Sequence, residues 1–97
     1  MLFIPAIQDQ EKREKIYERQ EFKKLVWGKT TEEVKTLVGK PNRTSYEKDA
    51  GDLMLVWHYD GITKDKDALE TDEVTRIWFY SSTGKVYRFT TGKKPKR

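Results

Sequence analysis

The chain has no cysteine, a single histidine (His58), three prolines and six glycines in 97 residues. Without cysteine there is no disulfide framework, no thiol nucleophile and no thiolate metal site. With one histidine, any metal site would have to rest on carboxylates. No apolar run is long enough to cross a membrane. The opening stretch Met1–Ile7 is apolar but too short for a complete signal peptide, and no basic stretch precedes it. If the protein is exported, its targeting segment is therefore expected outside these residues, and membrane association only through such a segment. Apolar residues are also scarce, at 35% against 37% charged. That balance alone would suit a disordered chain, but three Trp, five Tyr and four Phe argue for a folded one. A domain this small depends on such side chains, each able to bury roughly 150–250 Å².

The net charge of +4 is unevenly placed. Residues 81–97 hold Lys85, Arg88, Lys93, Lys94, Lys96 and Arg97 and no acid; the preceding 80 carry 14 basic and 16 acidic groups, a net of −2. The basicity thus belongs mainly to the end of the chain, and a solvated tail over 92–97 is expected.

Along the chain, residues 8–24 are strong helix formers without Gly or Pro, and the spacing predicts a helix over 10–26, with residues 1–9 a flexible arm or edge strand. Gly28 ends that helix. Thr30-Thr31-Glu32-Glu33 is a capping box, in which the Thr30 hydroxyl accepts the Glu33 amide and the Glu33 carboxylate reaches back. Val34, Leu37 and Val38 follow on one face, then Gly39 as cap and Pro41 as stop. Beyond Pro41 the pattern alternates. It predicts a weak strand over 43–48, strong strands over 53–60 and 74–80, and a returning strand over 85–91. Asp49–Asp52 and Ser81–Gly84 read as turns and 61–73 as a long charged loop. Short turns between strands imply an antiparallel meander.

Gly28-Lys-Thr30, Glu33-Val34 and Leu37-Val-Gly39-Lys-Pro41, followed by Trp57-His-Tyr59 and Ile77-x-Phe79…Gly84-Lys-Val86, resemble in order and spacing the motifs of the SmpA/OmlA (BamE-like) domains. The likeness runs from about Gly28 to Val86. It implies an α+β domain over 10–91, with two helices packed on one face of a three- or four-stranded antiparallel sheet, a layout shared with the β-lactamase-inhibitor-protein fold. It further implies an exported, often lipoprotein, module of the bacterial envelope and outer membrane that works by protein–protein contact. The chain departs from that pattern in lacking a lipid-accepting Cys, in its long charged first helix and in its acidic loop.

Strand parity divides the sheet residues. If Tyr80 pairs with Lys85, Phe79 faces Val86 and Trp78 faces Tyr87. Ile77, Phe79 and Val86 then share one face with Leu55, Trp57 and Tyr59. The other holds Met54, Val56, His58, Trp78, Tyr80, Tyr87 and Phe89. Two short helices cover one face, so the second is expected to meet a protein partner or a second copy of the chain through Val56, His58, Trp78, Tyr80, Tyr87 and Phe89. The alternatives are that the N-terminal arm or the first helix covers it, or that a bulge exchanges the faces.

Chemistry is not expected. His58 lies mid-strand, Ser81 and Ser82 sit in a turn with no base near in sequence, and no phosphate-binding or dinucleotide motif occurs. The acidic loop lacks the glycine of a calcium-binding loop and has Leu69 where a ligand is needed. No cofactor or metal is implied. The rival to protein binding is single-stranded nucleic acid, stacked on the sheet aromatics and held by the basic tail. Against it, Arg76, Lys85 and Arg88 are few for phosphate contact.

Overall fold

The computed structural model describes residues 15–93. The expected arm at 1–9, the start of the expected first helix at 10–14 and the tail residues 94–97 lie outside them. The elements are β1 (Tyr17–Glu18), α1 (Arg19–Val26), α2 (Thr31–Val38), β2 (Arg43–Asp49), β3 (Asp52–Asp60), β4 (Thr63–Lys64), β5 (Val74–Phe79) and β6 (Val86–Gly92). The class is α+β. One antiparallel sheet has the order β2-β3-β5-β6, and β1 pairs with β4 in a small parallel ladder.

The first helix is shorter than its composition predicts. Tyr17 and Glu18 are extended, because Tyr17 donates its amide to Ile62 at 2.8 Å and pairs with Thr63. Its ring meets Phe22 edge-on, centroids 5.5 Å apart, in the core. Glu18 then caps α1, its carboxylate accepting from Gln20 at 3.3 Å while Glu21 reaches back to the Glu18 amide. The expected loop 61–73 is likewise more ordered than its charge suggests. Arg19 grips Asp72 with two hydrogen bonds of 2.6 and 3.1 Å, and Asp72 also accepts from the Thr63 hydroxyl at 2.6 Å. Thr63 in turn contacts the buried Thr75 at 2.6 Å, tying loop, helix and sheet together.

The second helix matches the expectation. Thr30 accepts from the Glu33 amide at 3.3 Å and donates its own amide to Glu33 at 2.9 Å. Gly39 ends the helix at φ 94°, ψ 175°, a region open in practice only to glycine. The Tyr59 hydroxyl donates to the Gly39 carbonyl at 2.8 Å, which fixes the end of α2 to β3.

The main core joins Phe22 and Val26 of α1 and Val34 of α2 to Trp57, Tyr59, Ile77, Phe79 and Val86. Burying such side chains stabilises the fold by roughly 1.5–3 kcal/mol each. The strand residues are those that alternation assigned to one face, and Leu55 packs at their edge.

The β5–β6 hairpin departs from the predicted register after its first pair. Phe79 faces Val86 as expected, but Trp78 faces Arg88 rather than Tyr87, because the ladder shifts between Trp78 and Phe79. The extra residue lets Tyr87 and Arg88 share a face and turns Phe89 to the helix side, where its ring lies 6.1 Å from Phe22. Strand β6 also continues to Gly92, one residue into the segment expected as tail.

Candidate functional site

The sheet face opposite the helices is set by strand register. One row across it runs Arg43, His58, Arg76, Thr90; the next runs Ser45, Val56, Trp78, Arg88. Met54, Val56 and Trp78 form a second buried cluster with Tyr87 packed against it, separate from the helix-side core. Trp78 is held on two sides. Its indole nitrogen donates to the Glu47 carboxylate at 3.0 Å, and the Arg88 guanidinium lies 4.4 Å from its ring centroid. Tyr80 and Tyr87 meet edge-to-face at 5.3 Å.

The expected site residues have separate fates. Val56 and Trp78 are buried, so this is not an open aromatic plane. Phe89 is not on this face at all, since the bulge sends it to the helix-side core. His58, Tyr80 and Tyr87 are on it. Among the described residues, Tyr80 is the one large aromatic there left exposed, at 38%. The described first helix does not cover the face, because Phe22 and Val26 pack on the opposite side. The arm offered as the other cover lies outside the described residues.

Electrostatically the face is mixed. Burial, with Arg76 and Arg43 nearby, pushes the His58 pKa below the usual imidazole value, so the ring is neutral at pH 7; it contacts the Ser45 hydroxyl at 2.8 Å. Arg43 is paired with Asp60 at 2.8 Å. Burial and then the Asp49 carboxylate raise the Tyr87 phenol. The Tyr87 hydroxyl oxygen is buried and makes no hydrogen bond among the described residues. Such an orphaned polar atom costs stability until a partner supplies an acceptor or donor.

Arg88 and Glu47 are not among the residues expected on this face. Strict alternation from Val86 would turn Arg88 to the helix side, and only the bulge brings it over Trp78. Glu47 lies on a strand whose pattern carried little signal. No group of three or more His, Asp or Glu among the described residues is placed to hold a metal ion. No family model, curated protein or solved structure significantly matches this chain.

Proposed function

We propose that the protein is a non-enzymatic protein–protein interaction module that docks a partner on the sheet face opposite its helices. The observation that carries this reading is the second apolar cluster itself. A two-layer domain needs one core, yet Met54, Val56, Trp78 and Tyr87 build another on the far side of the sheet, rimmed by Tyr80, Arg88 and Glu47. Trp, Tyr and Arg are the residues that dominate binding hot spots, and mixed charge around an apolar centre suits a protein surface.

Single-stranded nucleic acid fits the same face less well. Arg43, Arg76 and Arg88 share it with Glu47, Asp49, Asp52 and Asp60, so carboxylates outnumber guanidiniums and would repel phosphate. The resemblance to SmpA/OmlA domains supports a place in the bacterial envelope, as an outer-membrane-assembly-like module. Two helices beside an antiparallel sheet, with the capped helix and the glycine stop in the expected order, agree with that proposal.

The test is a photo-crosslinking amino acid at position 80 in cells of the source organism, with Leu69, 99% exposed on the charged loop, as control position. A discrete protein adduct is expected from position 80 and not from 69, and Arg88→Ala should weaken it at least several-fold. Equal adducts at both positions, or none at 80, would overturn the proposal.

A further inference from the structure

The sheet has two edges, and they are treated differently. The β6 edge is closed at its start by the loop between the helices. Gly28 donates to the Val86 carbonyl at 3.0 Å, Val86 donates to Lys29 at 2.9 Å, and Thr30 bridges to Lys85. Among the described residues, strand β2 has no such cover. All seven of its residues, Arg43 to Asp49, are exposed, and Tyr46 is 64% accessible. An uncovered strand of this length presents a row of unpaired amides and carbonyls to another chain.

The hairpin turn decides which groups those are. Ala50 and Gly51 both have positive φ, 52° and 88°, the signature of a two-residue type I′ turn. In that turn the closing pair, Asp49 and Asp52, is the hydrogen-bonded kind, and the kinds alternate from there. Arg43, Ser45, Glu47 and Asp49 therefore spend their backbone groups on β3. Thr44, Tyr46 and Lys48 point theirs outward.

We infer that β2 is a homodimer interface, pairing antiparallel with β2 of a second copy about a two-fold axis through Tyr46. Charge is what selects the second copy. With Tyr46 opposite its own image, Thr44 faces Lys48, Ser45 faces Glu47 and Arg43 faces Asp49. The strand's four charges meet no like charge, and the two at its ends meet opposites. Moving the axis to Glu47 would instead set carboxylate against carboxylate. The Tyr46 centring also uses every outward-pointing backbone group. Tyr46 would then lie against its image on the helix side, next to Leu55 of the neighbouring strand and near the 54%-exposed Leu53. The axis is perpendicular to the sheet, so the two faces opposite the helices would join into one continuous surface. The β2 edge is distinct from the partner face, and either can stand without the other.

The experiment is sedimentation equilibrium of the full chain over a range of protein concentration, with cysteine pairing as the register test. The expected mass is twice the 11.5 kDa protomer, returning to 11.5 kDa in Tyr46→Asp, which sets two carboxylates on the axis without touching the core. Because the chain is cysteine-free, Thr44→Cys and Lys48→Cys each introduce one thiol. Mixed, the two variants should oxidise to a hetero-disulfide, the paired Cα atoms being about 5.5 Å apart. Each variant alone should not, its thiols lying about 13 Å apart along the strand. A monomer at every concentration, a dimer that survives Tyr46→Asp, or homo-disulfides as fast as the mixed one would each overturn the assignment.

Discussion

Asp72 shows how much one side chain fixes. It sits in a loop with five acids and looks like a solvated loop carboxylate, yet its side chain is only 7% exposed and accepts from both Arg19 and Thr63. The Arg19 hydrogen bond, followed by that from Thr63, holds its pKa below the usual carboxylate range despite burial. A carboxyl with a depressed folded pKa contributes fully above its unfolded value, about 3.9, and the contribution disappears as pH falls through the lower folded value. Asp72→Ala should therefore cost about 1–3 kcal/mol at pH 7, as lost charged hydrogen bonds do. The gap to the unsubstituted protein should narrow as pH falls below about 4. Urea denaturation at a series of pH values measures it. An equal gap at pH 7 and pH 2 would mean that Asp72 acts by packing rather than by charge. Nothing near Asp72 in sequence announces this role, because its partner Arg19 is 53 positions away.

At the scale of elements, what was legible was local. The Thr30–Glu33 box, the Gly39 stop and the alternation of β3 and β5 depend on neighbours a few residues off, and each formed where the spacing put it. The start of α1 and the strand β4 depend on each other across the chain, so helix propensity at residues 15–18 misled. The bulge at Tyr87 was equally hidden, since no residue type there demands an extra position. It moved Phe89 off the candidate face and Arg88 onto it. The legible caps give a direct prediction. Thr30→Ala should cost about 1 kcal/mol and Gly39→Ala about 1–3 kcal/mol. The Gly39 cost is backbone strain alone, because an added Cβ there meets nothing within 4 Å. Thermal unfolding checks both. A harmless Gly39→Ala would mean that the end of α2 relaxes freely, which its bond from Tyr59 argues against.

As a whole molecule, the domain presents surfaces that its own fold does not need. One core closes under the helices, and a second cluster stands on the other side with a phenol unpartnered among the described residues and a tryptophan clamped between Arg88 and Glu47. An open strand edge lies beside it. Sequence alone gave the two faces and their aromatic character. It did not give the burial of Val56 and Trp78, which depends on how rows of side chains from separate strands close over one another. The direct test uses the three indole N–H groups as reporters during titration with the partner trapped at position 80. Trp78 belongs to the candidate face, Trp57 to the helix-side core and Trp27 to the end of α1. The account expects the Trp78 indole resonance and the amides of β5 and β6 to shift on binding, with Trp27 and Trp57 unmoved. Shifts centred on Trp27 and the two helices would contradict it.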